Sequence, residues 1–339
     1  MNDSLIKACR LKRAKHTPIW IMRQAGRYLP EYRELRKRRS LMQIFETPEI
    51  CSDVMRMPVE LFGLDAAVLF ADIMLPLKSV GVEFELQDNV GPVIRSPIRS
   101  REDAGRLKNS DIMDAVPFVY DTIKMTKEML DVPIIGFCGA PFTLASYLIE
   151  GSPSRDFKLT KNFMHANPSA WRNLMGTLTS MSLDYLNMQI SAGVGAIQLF
   201  DTWVGCLSSE EYREFVQPYS KTILGGIAKK VPRIHFGVGT GHLLEQMRDA
   251  GADVIGIDWR ISLSSAWAQV GYDVGIQGNL DPSTMLLTKE DVRKEAERIM
   301  RDAGGRAGHI FNLGHGILPG TPLENVSELV KTVHEFESK

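Results

Sequence analysis

The chain has 339 residues, of which 44% are hydrophobic and 24% charged, and 40 basic against 41 acidic side chains leave a formal net charge of −1. This composition is typical of a globular protein and excludes a disordered, collagen-like or coiled-coil chain. The balance of charge argues against nucleic acid as a partner, because counterion release requires a basic face. No repeat, low-complexity tract or linker marks a boundary, so residues 1–339 are interpreted as one domain.

No apolar run reaches the roughly 18 residues of a transmembrane helix, and the first 16 residues lack the apolar stretch of a signal peptide. The cysteines are scattered and show no C-x-x-C spacing, which predicts neither a disulfide framework nor a zinc site. We therefore expect a cytoplasmic protein with no membrane partner and no bound metal. The cysteines are Cys9, Cys51, Cys138 and Cys206.

Eight short apolar runs recur along the chain, and each is continuous rather than alternating, as expected for strands buried on both faces. They cover residues 18–22, 66–70, 133–137, 196–200, 233–237, 253–257, 273–277 and 309–313. Amphipathic segments that predict helices lie between or after them, at 162–192, 209–230, 288–303 and 323–337. This alternation predicts an α/β fold, a single (β/α)₈ TIM-type barrel. A doubly wound open sheet is the alternative.

One stretch interrupts the alternation of strands and helices. Residues 82–94, VEFELQDNVGPVI, show a period-two pattern on both sides of a turn that contains Asn89. This pattern predicts a β-hairpin inserted after the second strand.

Polar residues follow several of the predicted strands, where a barrel of this type carries its catalytic groups. Any one of them is equally explained as a solvated loop residue, but several on one rim favour a site. They are Arg23, Asp72, the stretch 139–147, Asp201 with Thr202, Asp258, Asn279 and His315.

Arg23 and Arg27 stand four residues apart just after the first predicted strand. Guanidinium groups bind carboxylate or phosphate through two parallel hydrogen bonds. The apolar lead-in of residues 18–22 predicts a partly buried position for both, and there an arginine needs an anion, either an internal carboxylate or a ligand. The further basic residues at 36–39 are interpreted as a solvated helix face.

Asp72 is a single carboxylate among apolar residues, FADIMLP, at the end of the second strand. A buried carboxylate must receive hydrogen bonds from the protein or from a ligand, so a purely structural acceptor is the alternative to a site residue. His315 has a glycine on each side, which leaves its side chain room to meet a ligand, although an ordinary turn would look the same. The glycines at 237–241 lack the G-x-G-x-x-G spacing of a dinucleotide site.

Five segments together resemble the motifs of the uroporphyrinogen decarboxylase family, in the same order and across most of the chain. They are PIWIMRQAGRYLP at 18–30, FADI at 70–73, GFCGAPFTL at 136–144, QGNLDP at 277–282 and NLGHG at 312–316. The resemblance implies a single-domain barrel enzyme, usually a homodimer, without metal or prosthetic group. The implied reaction removes the four acetate carboxyl groups of uroporphyrinogen III and yields coproporphyrinogen III and four CO₂.

The same resemblance implies roles for individual residues. Asp72 and Arg23 become the candidate catalytic residues, with Asp72 accepting hydrogen bonds from the pyrrole N–H groups. Arg23 and Arg27 would bind substrate carboxylates. Tyr147, Thr202 and His315 would line the cleft; many relatives are expected to have serine at the position of Thr202, and threonine keeps the hydroxyl.

The chemistry of the implied reaction is consistent with these residue types. Protonation of a pyrrole α-carbon creates an electron-poor ring that accepts the electrons left by departing CO₂, so no separate cofactor is required. A carboxylate below the N–H groups stabilises that cation where it develops. The proton donor stays open: a guanidinium such as that of Arg23 is a poor acid at neutral pH, whereas the ordinary pKa of histidine suits His315 better.

Two other functions are alternatives to this one. A corrinoid-linked methyltransferase of the same superfamily would bind zinc through His-x-Cys and a later cysteine, but Gly237 stands two residues after His235. A non-catalytic tetrapyrrole carrier would need a haem-attachment motif such as C-x-x-C-H, which the sequence lacks.

Overall fold

The structure, a computed structural model, describes residues 2–87 and 90–337. Its strands are β1 (Ala67–Val68), β2 (Phe84–Gln87), β3 (Gly91–Ile94), β4 (Ile134–Gly139), β5 (Ala196–Asp201), β6 (Arg233–Gly237), β7 (Val254–Gly256), β8 (Gly275–Leu280) and β9 (His309–Leu313). Its α-helices are α1 (Ser4–Cys9), α2 (Pro30–Arg38), α3 (Leu41–Phe45), α4 (Pro48–Phe62), α5 (Arg101–Ala104), α6 (Ile112–Ala115), α7 (Pro117–Met129), α8 (Pro141–Glu150), α9 (Lys158–Ala166), α10 (Pro168–Ala192), α11 (Ser209–Phe215), α12 (Gln217–Gly226), α13 (Leu244–Asp249), α14 (Leu263–Val270), α15 (Lys289–Ala303) and α16 (Leu323–Glu335). Short 3₁₀ helices cover Leu75–Val80, Val204–Cys206 and Pro282–Leu286.

The main sheet is parallel and curled, with strand order β1-β4-β5-β6-β7-β8-β9. Each strand pairs with the next one of this sheet along the chain, and helices connect them on the outside. A doubly wound sheet would instead reverse its strand order at a switch point. The fold is therefore that of a (β/α)₈ barrel, as predicted, and seven of the eight predicted strands are confirmed as members of one sheet.

The first predicted strand, residues 18–22, is an extended segment rather than a regular strand, which corrects that prediction. Its one bridge joins Ile19 to Phe311 of β9, while Asp65 N, just before β1, donates to Ile19 O at 2.9 Å. The segment thus contacts both edges of the curled sheet and closes it. Regular pairing fails because Pro18 has no N–H group and the N–H of Ile19 donates to the Asp65 carboxylate instead.

Prolines divide two of the predicted helices. The helix predicted at 162–192 is broken before Pro168, where α9 ends and α10 begins. The helix predicted at 209–230 is broken at Val216, just ahead of Pro218, and becomes α11 and α12. Proline suits the first turn of a helix but not its interior. The helix predicted at 288–303 is α15, and Thr288 caps it in a capping box with Asp291.

The inserted segment after β1 contains a separate two-stranded sheet. Strands β2 and β3 pair antiparallel, from Phe84 opposite Ile94 to Gln87 opposite Gly91. The turn predicted at Asn89 lies outside the described residues. Ile94 N donates to Gly151 O at 2.8 Å, which attaches this sheet to the end of α8.

The barrel interior is filled by side chains, so it is a core and not a channel. Trp20, Ile135, Ile234 and other fully buried apolar residues belong to this inner cluster. Gln277 joins them through polar contacts, accepting from the Trp20 indole N–H at 2.9 Å and donating to Gln198 at 2.9 Å. A second, larger apolar cluster packs the helices on the outside of the sheet. Within the described part of the chain, no helix has the length and apolar character needed to cross a bilayer.

Candidate active site

The candidate site lies at the carboxyl ends of the parallel strands. Arg23 follows the segment 18–22, Asp72 follows β1, and His315 follows β9. The charge of Arg23 affects the pKa of Asp72, of His315 and of Tyr147 in α8. The structure therefore brings these four predicted residues together from segments far apart in the sequence.

Arg23 has an unusual backbone conformation and a solvent-exposed side chain. Its φ is +65°, a left-handed conformation that costs a non-glycine residue roughly 1–2 kcal/mol. The side chain passes over Gly316, where a Cβ atom would lie 2.9 Å from Arg23 Cγ, so a larger residue would displace the arginine. Arg23 and Arg27 are both exposed, and the prediction that they are partly buried is wrong. The chain turns at Arg23, and both arginines are accessible to solvent at this end of the barrel.

Asp72 is half-buried, and its side chain accepts one hydrogen bond from the described residues. Its Oδ1 accepts a hydrogen bond from Met74 N at 2.9 Å. Burial raises the pKa of this carboxyl, and the Met74 N–H and the positive charge of Arg23 oppose that effect only in part. An ionised carboxylate offers about four acceptor sites to donors. Asp72 therefore has acceptor capacity left for a ligand.

Tyr147 belongs to an aromatic wall that the sequence analysis did not anticipate in full. Its ring lies 4.0 Å from the ring of Trp203, centroid to centroid, and Trp203 also packs on Phe157 at 5.1 Å. Burial and, secondarily, the negative charge of Asp72 raise the pKa of Tyr147, so its hydroxyl keeps its proton. Trp203 and Phe157 were missed, although the tryptophan directly after the candidate Thr202 was a usable signal.

Thr202 occupies the turn that follows β5 and is half-buried at the same end of the barrel. A buried polar group lies behind this turn. Asp201 accepts a hydrogen bond from Thr143 Oγ1 at 3.2 Å and faces His235 Nε2 at 3.7 Å. Thr143 Oγ1 in turn accepts from Trp203 N at 3.3 Å. Asp201 therefore anchors the loop that carries Thr202 and Trp203.

His315 is half-buried and lies over Phe236, with ring centroids 6.4 Å apart and an angle of 24° between the planes. Burial, together with the positive charges of Arg23 and Arg260, lowers its pKa to about 4, against the opposing charge of Asp258. The imidazole is therefore neutral at pH 7. This corrects the expectation that an ordinary histidine pKa makes His315 a ready proton donor.

Arg260 is a further cation at the mouth that the sequence analysis missed. Its guanidinium pairs with the buried carboxylate of Asp258 and lies 4.3 Å from the centre of the Trp259 ring. Asp258 also accepts from Gly239 N at 2.7 Å, and Asn279 donates to its main-chain oxygen at 2.9 Å. The signal was the run Asp-Trp-Arg directly after the strand-like residues 253–257.

A curled parallel sheet with arginines, a carboxylate and a histidine at the carboxyl ends of its strands defines a (β/α)₈-barrel enzyme with a site suited to an anionic substrate. Residues 1–336 match the family model described as uroporphyrinogen decarboxylase (URO-D). The chain belongs to that family.

Curated relatives agree over nearly the full length. A uroporphyrinogen decarboxylase from Sorangium cellulosum is 49% identical over 99% of this chain and 97% of its own. Those from Carboxydothermus hydrogenoformans and Thermus thermophilus are each 47% identical, over 100% and 99% of this chain and 97% and 98% of their own.

Solved structures support the fold alone. A methyltransferase from Methanosarcina mazei has a TM-score of 0.81 at 21% identity and covers 98% of both chains. A B12-independent methionine synthase from Shewanella has a TM-score of 0.57 at 11% identity, over 85% of this chain and 88% of its own.

Proposed function

We propose that this chain removes the four acetate carboxyl groups of uroporphyrinogen III, giving coproporphyrinogen III and four CO₂. The observation that carries the proposal is the half-buried carboxylate of Asp72, which accepts one hydrogen bond from the described residues and lies near the exposed cation Arg23 at the carboxyl end of the barrel. A cyclic substrate with N–H groups at its centre and carboxylates at its rim matches this arrangement of acceptor and cation.

Asp72 acts on the cation that forms during the reaction. Each cycle begins with a proton added to the pyrrole α-carbon, and loss of CO₂ then places the bonding electrons in the cationic ring. The exocyclic methylene carbon takes up a proton as the α-carbon releases one, so each acetate consumes one proton and becomes a methyl group. The carboxylate of Asp72 accepts the pyrrole N–H groups and stabilises their developing positive charge.

Arg23 and Arg27 hold the substrate carboxylates. Within the described part of the chain, the Arg23 guanidinium makes no ion pair within 4.0 Å, and its charge reaches Asp72, Tyr147 and His315. A carboxylate that binds such an exposed guanidinium forms charge-assisted hydrogen bonds that also orient it. Tyr147 and Thr202 supply further polar contacts to the cleft.

His315 becomes a proton donor only with substrate bound. Its pKa of about 4 in the free protein, lowered first by burial and then by Arg23 and Arg260, leaves it neutral. Substrate carboxylates beside it offset the charges of these arginines and favour the imidazolium. The alternative donor is a water molecule held by Arg23.

The methyltransferase function is not favoured. In the described residues, the cluster of possible metal ligands consists of two histidines and an aspartate and contains no thiolate. Such an enzyme binds zinc through a His-x-Cys pair, whereas His235 is fully buried against Asp201 and has no cysteine two residues after it.

The family resemblance also supports a single barrel domain over residues 1–339, a homodimer, and a cytoplasmic location. Sedimentation equilibrium of the purified protein measures the oligomeric state, and a monomer at micromolar concentration would contradict the dimer.

The deciding experiment supplies the purified protein with uroporphyrinogen III under anaerobic conditions and follows CO₂ and the less carboxylated products. Activity is expected to persist after chelation and dialysis, because the substrate ring accepts the electrons. Full loss on chelation with recovery on added zinc would contradict the metal-free reaction.

A further inference from the structure

We propose that His16, Asp65 and His334 form a binding site for a divalent transition-metal ion of the Zn²⁺ type, separate from the candidate active site. His16 Nε2 lies 2.8 Å from Asp65 Oδ1, and His334 Nε2 lies 2.8 Å from Asp65 Oδ2. The three ligand atoms lie within 4.8 Å of one another. Two imidazoles and a carboxylate are a ligand set that zinc and other first-row metals accept.

The proposed site lies at the amino-terminal end of the barrel, away from the proposed reaction. His16 precedes the segment 18–22 and Asp65 precedes β1, whereas Arg23 and Asp72 follow these same stretches. At about 3.3 Å per extended residue, Asp65 and Asp72 are separated by roughly 20 Å. An ion at this site would therefore not contact the substrate, which is consistent with a metal-free reaction.

Small movements would admit an ion. Zinc–nitrogen and zinc–oxygen bonds of about 2.0–2.2 Å place tetrahedral ligands roughly 3.4 Å apart. Each imidazole would need to withdraw by about half an ångström from its present hydrogen bond, and its proton would move from Nε2 to Nδ1. The imidazole rings already face each other, with centroids 4.1 Å apart and planes inclined by 42°.

The carboxylate is held in place by donors other than the histidines. Asp65 is 1% exposed and accepts from Ile19 N at 2.9 Å and from Asn2 Nδ2 at 2.7 Å. Such outer contacts orient a metal ligand and increase the affinity of the site. The side chains of His16 and His334 are 20% and 25% exposed, so an ion has access from solvent.

His16 also lines a cleft of about 200 Å³, from which a fourth ligand could approach an ion held by the cluster. Lys12, Arg13 and Arg306 also line this cleft. These cations disfavour a bare metal ion and favour a small anion, such as chloride or a carboxylate, as the fourth ligand. The chemical class expected is thus a divalent ion completed by water or an anion.

Binding would join three distant parts of the chain. His16 belongs to the amino-terminal segment, Asp65 introduces β1, and His334 is in the last turn of α16. The cluster also lies at the seam where Ile19 closes the barrel. An ion here is expected to stabilise the folded protein without changing catalysis.

The test uses metal-free protein, titrated with Zn²⁺ in a calorimeter and by thermal unfolding at neutral pH. We expect one ion per chain and a melting temperature that rises with the logarithm of the free zinc concentration. The variants His16→Gln and His334→Gln should each weaken binding by about tenfold or more. The matched control is His165→Gln, an exposed histidine that contacts Glu211 at 3.0 Å and should leave zinc affinity unchanged.

Cobalt supplies an independent measurement. Bound Co²⁺ should give visible absorption bands. It should not give the near-ultraviolet thiolate absorption that would appear if a cysteine such as the partly exposed Cys206 coordinated the ion. Absence of binding up to millimolar zinc, affinity unchanged in both histidine variants, or thiolate bands would each overturn the proposal and leave the cluster as hydrogen bonds only. Decarboxylation is measured with and without chelator in the same samples, so failure of the metal site is distinguishable from failure of the proposed reaction.

Discussion

Replacement of Asp72 by asparagine removes one charge from the candidate site and keeps the size of the side chain. If Asp72 stabilises the cationic ring, the loss is about 4 kcal/mol, the interaction of two unit charges roughly 4 Å apart at an effective dielectric constant of about 20. A barrier higher by that amount slows the reaction roughly a thousandfold. The half-buried position of Asp72 justifies this dielectric constant rather than that of bulk water.

The same variant should not lose stability. Burial raises the pKa of Asp72, so the folded protein binds this proton more tightly than the unfolded chain does. The stabilising contribution of the protonated group is present below the unfolded pKa and is lost as pH rises through the folded pKa. At neutral pH the parent protein therefore holds a costly charge, and Asp72→Asn should unfold at an equal or higher temperature. In acid the difference should disappear.

The assay measures turnover of uroporphyrinogen III and thermal unfolding on the same preparations, at neutral pH and in acid. Asp121→Asn is the matched control, because Asp121 is exposed on α7 and is not one of the candidate site residues. Unchanged turnover in Asp72→Asn would refute the cation-stabilising role. A large drop in melting temperature at neutral pH would show instead that Asp72 is a structural acceptor.

Further outcomes follow from the charges around the site. Arg23→Ala and Arg27→Ala should each weaken binding of the carboxylated product, measured by calorimetry, by roughly 1.5–3 kcal/mol. The control Arg13→Ala replaces an exposed arginine at the other end of the barrel and should not weaken binding. Unchanged affinity with reduced stability would show that Arg23 and Arg27 have a structural role instead. Since the pKa of His315 is lowered to about 4, its imidazole should stay neutral down to about pH 5 by nitrogen NMR and gain a proton when product binds, and a midpoint near its ordinary value in the free protein would contradict this. Arg260→Ala should raise that pKa in the same spectra, because one depressing charge is gone, and an unmoved midpoint would rule out this influence.

Much of the fold could be predicted because the strands are buried on both faces. That burial requires continuous apolar runs, which can be recognised in the sequence without knowledge of the neighbouring strands. The predicted runs 233–237 and 309–313 coincide with β6 and β9. The boundaries of the predicted helices were less accurate. Pro168 divides the long predicted helix because proline cannot continue a helical hydrogen-bond ladder.

The candidate residues were identified from the sequence, but their physical states were not. The apolar residues before Arg23 predicted burial, yet a left-handed turn directs its side chain over Gly316 and into the open. That contact joins the beginning and the end of the chain, and no local pattern encodes it. His315 illustrates the same point, because its pKa depends on burial and on the charges of Arg23 and Arg260.

By itself, the sequence determined the alternation of strands and helices, the candidate rim residues and the family resemblance, since each is carried by residue types at short spacing. Only the tertiary structure decided which charges face each other. Asp65 lies 49 residues from His16 and 269 residues from His334 along the chain, yet closure of the barrel brings all three within bonding distance. Electrostatic interactions depend on separation in space and on burial, and neither quantity exists until the sheet has curled and closed.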